Sequence, residues 1–252
     1  MIQKQPNAFI FAGANASGKS TYISHLLQNK IVFGEYINPD LILKEELKLK
    51  ETLENYTIAF EIAQKRRDDA IKNSKDIIVE TVFSTQNKID YVYKLISHGY
   101  HVTLFFTGTD EAGINLLYLL DRVEKGGHDV PVRKLIDRRL RGFENIRKIS
   151  QDIDCLIFVD NSIYGEPPII VKSMYRNNIC FINDAHHRDL LWLNDIIDLE
   201  RTHVFNKDEL KIVPKEHLQL CENIQNTSDS FVKILDKTYQ EKNQILKIEI
   251  IK

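Results

Sequence analysis

Eight consecutive residues, Gly13-Ala14-Asn15-Ala16-Ser17-Gly18-Lys19-Ser20, carry the spacing G-x-x-x-x-G-K-[ST], with Thr21 directly after. That pattern suits the holding of a polyphosphate chain. Glycines let the backbone wrap tightly, so that several N–H groups point at one phosphate. Lys19 brings a positive charge to the β- and γ-phosphates, and Ser20 offers its hydroxyl to Mg²⁺. A helix starting at Lys19 would add the positive end of its dipole. The alternative is a chance glycine-rich turn. It is disfavoured because an apolar stretch, Ala8 to Ala12, precedes the loop and a helical pattern follows it. The loop denotes a nucleoside triphosphate and leaves the reaction open.

Carboxylates and cations that could complete a reaction lie further along. Asp40 stands 21 residues after Lys19, behind Ile37-Asn38-Pro39. It could take a proton from a substrate hydroxyl or cap a helix, and the residues alone leave both readings open. Glu80 closes the apolar run Ile77-Ile78-Val79, a placement that brings a carboxylate near Mg²⁺ or its waters. A hydrogen bond to the next loop is the plain alternative. Asp160 closes Leu156 to Val159 in the same way. Lys125-Gly126-Gly127-His128-Asp129-Val130-Pro131 joins two helical stretches just after Arg122. Paired glycines there suggest a hinged lid near 122–133 that closes cations over a transferred phosphoryl group. Gly126 as a C-cap and Pro131 near the first helical position fit as well.

The helix beginning at Pro131 carries Arg133, Arg138, Arg139, Arg141 and Arg147. At about 100° per residue, Val132, Ile136, Leu140, Phe143 and Ile146 define its inward face. Arg139 falls within that arc, where an arginine wants an anion. Arg147 also falls there, two turns further from the lid. Arg138 and Arg141 point away and read as a solvated basic face. His186-His187 has no ligand-spaced partners and reads as surface. Trp192 reads as core.

These residues need a scaffold, and strand and helix signals alternate from residue 8 to about 160. Strands are expected at Ala8–Ala12, Glu35–Asn38, Ile77–Val79, Val102–Phe106 and Cys155–Val159. Helices are expected at Lys19–Gln28, Thr52–Asn73, Gln86–Ser97, up to Glu124, and Pro131–Ile149. Within Thr52–Asn73 the apolar residues Tyr56, Ala59, Phe60, Ala63, Ala70 and Ile71 recur at helical spacing. Strands that are apolar throughout and alternate with helices predict an α/β fold. Its doubly wound parallel sheet should have about five strands, helices on both faces and a ligand at the carboxyl ends. Pro167-Pro168 marks a break. A core over 1–166 and a C-terminal extension over 167–252, packed on that core, are therefore expected. Within the extension, Ile169–Ile182 reads as a hairpin turning at Asn177-Asn178, followed by helices and a terminal strand.

Composition agrees. The 252 residues include 34 Lys+Arg against 36 Asp+Glu, and 43% are hydrophobic. That is globular and nearly neutral, which speaks against a non-specific nucleic-acid or membrane-surface binder. Cys155, Cys180 and Cys221 lie far apart with no C-x-x-C pair, as expected of a reduced, cytoplasmic protein. No apolar run approaches the ~18 residues of a membrane span. The N-terminal apolar stretch is too short for a signal peptide.

Taken in order, these motifs resemble the zeta-toxin family of P-loop kinases in its short bacterial form. The resemblance covers roughly residues 8–162. It rests on Gly13 to Thr21, Asn38-x-Asp40, Glu80-Thr81-x-x-Ser84, Gly99-Tyr100-x-Val102, Arg122-Val123-x-x-Gly126-Gly127-His128-x-Val130-Pro131, Arg138-Arg139 and Asp160-Asn161-Ser162. Known members phosphorylate a sugar hydroxyl of UDP-N-acetylglucosamine with ATP and Mg²⁺. The resemblance implies a nucleotide bound by residues 13–21 and Asn161, with Ser20 and Glu80 serving the metal. The sheet order of such kinases puts the third strand beside the first, which favours Glu80 over Asp160. Asp40 becomes the general base, and Glu80, Thr81, Ser84 and His128 border the sugar. Arg122 matches the first transition-state arginine. The second aligns near His128, which passes that role to Arg139. Ala16 stands where a glycine is common. An antitoxin partner is implied for some members, while others stand alone. The acceptor could instead be a dinucleotide ribose or a small metabolite, or the chain could be an ATP-binding regulator without catalysis. Intact Lys19, Ser20, Asp40 and Arg122 argue against the last.

Overall fold

The computed structural model describes residues 5–124, 129–183, 190–198 and 201–227. Five strands run parallel: β1 (Asn7–Gly13), β2 (Glu35–Ile37), β3 (Ile77–Thr81), β4 (His101–Gly108) and β5 (Cys155–Asp160). Two more, β6 (Ile169–Tyr175) and β7 (Asn178–Ile182), add an antiparallel hairpin to the same sheet. The order is β2-β3-β1-β4-β5-β6-β7. The expected sheet of about five strands is therefore a sheet of seven. The hairpin turns at Arg176 and Asn177, both at positive φ, one residue earlier than expected.

Helices α1 (Lys19–Gln28), α3 (Leu53–Lys72), α4 (Gln86–Ser97), α5 (Ala112–Glu124) and α6 (Val132–Ile149) lie within a residue or two of their predicted spans. An unforeseen short helix, α2 (Pro39–Leu41), continues as a π-helical turn over Ile42–Glu46. Short α7 (Leu191–Asn194) and helix α8 (215–227) follow the hairpin.

The strands are apolar because both faces are covered. On one face Ile10, Val79, Leu104 and Phe158 pack with residues of α3, α4, α6 and α7. On the other, Phe11, Phe105 and Ile157 pack with Tyr22, Ile23 and Leu26 of α1 and with Cys221 and Ile224 of α8. Phe11 and Phe105 stack at 4.4 Å between centroids. Trp192 is buried, as expected. Ala59, Ala63, Ala70 and Ile71 carry the buried stripe of α3, whereas Phe60 is exposed.

Helix α6 departs from its predicted face. Phe143 and Ile146 are buried, but Val132, Ile136 and Leu140 are exposed. The N-terminal half packs through Leu135 against Leu119 of α5 and Val130, rather than against the sheet. The helix thus changes partner along its length, and one arc cannot describe both halves.

Candidate active site

Strands β1, β2, β3 and β5 end at the same edge of the sheet, and the chemistry-bearing residues follow those ends. Gly13 ends β1 at φ +148, and a side chain there would collide with the Thr107 carbonyl. Gly18 caps α1 at φ +85, and a side chain would strike the Asn161 amide. Ala16 takes the left-handed conformation at φ 54. It thus adopts, with a Cβ, the geometry for which glycine is the cheaper residue. Loop contacts hold this shape. Asn161 Nδ2 donates to the Ser17 carbonyl at 3.1 Å and Asn115 Nδ2 to the Ala16 carbonyl at 3.3 Å. Thr109 in turn donates to Asn115 Oδ1 at 2.8 Å. The two glycines and these supports make a backbone cradle that fits a phosphate group.

Lys19 is buried, and its Nζ donates to the Ala14 carbonyl at 2.6 Å. Burial pushes its ammonium below the ordinary value. The Glu80 carboxylate opposes that shift, and the charge of Arg122 adds to it. Ser20 donates to Glu80 at 2.8 Å. Tyr36 and Asn38 donate to the other Glu80 oxygen at 2.7 and 3.1 Å. Burial and the Glu80 charge raise the Tyr36 hydroxyl well above its usual range, so it stays a donor. Ser20 and Glu80 are oxygen ligands of the kind Mg²⁺ takes, with phosphate oxygens and water to complete them.

Asn38 also settles what caps α2: its Oδ1 accepts from the Asp40 backbone N–H at 2.8 Å. Asp40 is thus one residue inside the helix, and its side chain is exposed. Thr81 Oγ1 accepts from the Phe83 N–H at 3.2 Å, and Ser84 is half-buried nearby in the same loop. Asp160 is spent on structure. It accepts from Ser162 at 2.5 Å and from the Trp192 indole at 3.0 Å. Thr21 is exposed on α1. His128 and the rest of Lys125–His128 lie outside the described residues, as do His186 and His187.

Of the two adjacent arginines of α6, Arg139 lies half-buried on the inward face, as expected, while Arg138 departs from its expected place. Arg138, expected in solvent, donates to Asn15 Oδ1 of the phosphate loop at 3.2 Å. Arg139, expected to await an anion, donates to the Thr109 and Asp110 carbonyls at 2.5 and 3.0 Å. Its guanidinium also lies 4.6 Å from the centre of the Phe143 ring. Arg147 donates to the Asp195 carbonyl. Tyr36, Asn38, Asn115 and Arg138 were not read as site residues from sequence. Asn38 offered a signal, since an Asn before Pro-Asp is a strong capping residue.

A parallel sheet with a phosphate loop after its first strand, a carboxylate on the neighbouring third strand and an arginine helix over the loop defines a P-loop kinase-type protein. The zeta toxin family model matches residues 1–181, and the chain belongs to that family. No curated protein gives a significant match. Among solved structures, the fold resembles one from the PezAT chromosomal toxin-antitoxin system of Streptococcus pneumoniae. The TM-score is 0.53 at 18% identity, over 90% of this chain and 88% of that one. AvrRxo1-ORF1:AvrRxo1-ORF2 with sulphate ions gives 0.53 at 15% identity, over 93% and 80%. The same pair with ATP gives 0.52 at 15% identity, over 90% and 77%. At these identities the likeness is one of fold.

Proposed function

We propose that this protein is an ATP- and Mg²⁺-dependent kinase that phosphorylates a sugar hydroxyl of UDP-N-acetylglucosamine or a related nucleotide sugar. The observation that carries the reading is the division of labour at α2. Asn38 caps the helix, which leaves the Asp40 carboxylate exposed at the strand edge that holds Lys19. In this reading Asp40 takes the acceptor hydroxyl proton as the oxygen attacks. Lys19 leaves the Ala14 carbonyl for the phosphates, and Arg122 balances charge on the transferred oxygens. Mg²⁺, when bound, supplies charge neutralisation between the phosphates, and Ser20 and Glu80 are the residues that would hold it. Tyr36 and Asn38 keep Glu80 aimed. Residues 13–18 and Asn161 cradle the nucleotide, and Thr81, Ser84 and His128 belong to the acceptor side.

Family membership and kinase-type fold support this reading, and an antitoxin protein is its natural partner. The test is product analysis after incubation with ATP, Mg²⁺ and a metabolite panel that includes UDP-N-acetylglucosamine. A phosphorylated nucleotide sugar is expected, and Lys19→Ala should abolish it. Transfer to an unrelated acceptor alone would overturn the substrate, and no transfer to any member would overturn the kinase.

A further inference from the structure

Among the described residues, seven that are not glycine take positive φ. Lys30, Lys48 and Ser74 each follow the C-cap of a helix, where the left-handed conformation is an ordinary ending. Arg176 and Asn177 turn the hairpin, and Ala16 belongs to the phosphate loop. Phe83, at φ 59, closes no helix and turns no hairpin. It lies in the loop between β3 and α4, with its ring buried in the core on the α3, α4 and α6 face of the sheet. A bulky side chain at left-handed φ is strained, and such strain persists only where the surroundings hold it.

Two side chains hold it. The Phe83 N–H donates to Thr81 Oγ1 at 3.2 Å, and its carbonyl accepts from Asn145 Nδ2 of α6 at 3.0 Å. Asn145 is itself buried, on a helix whose neighbouring Phe143 and Ile146 are core residues. An amide in such a place is costly unless it is bonded, and a leucine would fill the same space more cheaply. The bond it makes goes to the strained residue. Thr81 and Phe83 also line a cavity between α3 and α4 at the end of β3, on the acceptor side of the kinase reading.

The same helix reaches the phosphate loop. Arg138, which donates to Asn15, stands two turns before Asn145, so both side chains leave one face of α6 about 10 Å apart along its axis. Between them Arg139 pins the helix to the Thr109 and Asp110 carbonyls. One rigid element thus touches the nucleotide side at Asn15 and the acceptor side at Phe83. We propose that Asn145 is a positioning residue for the acceptor: by holding the Phe83 carbonyl it fixes the strained loop 81–84, and α6 keeps that loop in register with the phosphate loop. The inference rests on the kinase reading above and deepens it.

The test substitutes Asn145→Leu, which keeps the volume and removes the donor, and Asn145→Ser, which shortens the arm and adds no bulk. UDP-N-acetylglucosamine is the acceptor probe in steady-state assays of the full chain. Both variants should raise its KM, Asn145→Leu by about tenfold, the worth of one buried hydrogen bond. The kcat should hold, because Lys19, Asp40 and Arg122 are untouched. Calorimetric affinity for a non-hydrolysable ATP analogue should also hold. Arg138→Ala should show the opposite split, with kcat lowered and acceptor KM unchanged. Amide hydrogen exchange of the peptide spanning 81–84 should quicken in Asn145→Leu. An unchanged acceptor KM in both variants overturns the proposal, even if the loop exchanges faster. A parallel loss of acceptor and ATP-analogue binding also overturns it, since Asn145 would then support the fold at large. No product from the wild-type chain, or no binding of the ATP analogue to it, instead overturns the kinase reading on which the inference rests.

Discussion

At the scale of single residues, Asp40 is where structure narrows what sequence left open. A caps-only role would make Asp40→Asn nearly silent, because Asn caps as well as Asp. The cap is Asn38, so the substitution leaves the cap in place and removes a proton acceptor. Acceptor phosphorylation by Asp40→Asn should fall by about 10²–10⁴ while ATP affinity holds. A wild-type rate in a single-turnover assay would return Asp40 to the role of surface residue. Asn38→Ala should do the opposite. It removes the cap and a donor to Glu80 together, and should lower stability by about 1 kcal/mol in urea titrations.

At the scale of elements, α6 shows how far a pattern can be read. Arg138→Ala should lower kcat while leaving the urea midpoint unchanged, since its partner is Asn15 of the phosphate loop. Arg139→Ala should cost about 1–3 kcal/mol of stability, because the Thr109 and Asp110 carbonyls lose their donor. Kinetics and denaturation of the same two proteins separate these roles, and the reverse ranking would refute them. Loop, strands and most helix ends were legible because each depends on local spacing. The apolar strand before Gly13 and the helix after Gly18 are written in adjacent residues. The placement of Arg138 on the phosphate loop was not legible. It depends on α6 leaving the sheet to lean on α5, a contact between separate segments. Asn38 was legible in principle, since an Asn directly before Pro-Asp is a strong helix cap.

At the scale of the molecule, the described segments after Pro168, up to residue 227, are built into the core. The hairpin extends the sheet, α7 brings Trp192 under one face and α8 covers the other with Cys221 and Ile224. Ile224→Ala should cost about 2–5 kcal/mol, as for other fully buried aliphatic side chains, measured by urea denaturation. His217 of α8 is buried, and its Nε2 lies 3.2 Å from Ser173 Oγ of β6. Burial, with a smaller push from His101, lowers the imidazole to about 4. The unfolded chain protonates it near pH 6.5. The stability held by the neutral ring is therefore full above about pH 6.5 and is lost as pH falls toward 4. His217→Gln should flatten that slope, and an unchanged slope would assign it to other groups. Trp192 is the chain's single tryptophan. Its ring lies among Phe106, Phe143 and Phe158, while its indole nitrogen is tied to Asp160, next to the Asn161 that supports the loop. The protein thus carries a built-in optical probe at one defined point. Its fluorescence should be blue-shifted in the native state and should redden when α7 undocks. If that signal and the far-ultraviolet circular dichroism melt together, extension and core unfold as one cooperative unit. An earlier fluorescence transition would reveal the extension peeling away first.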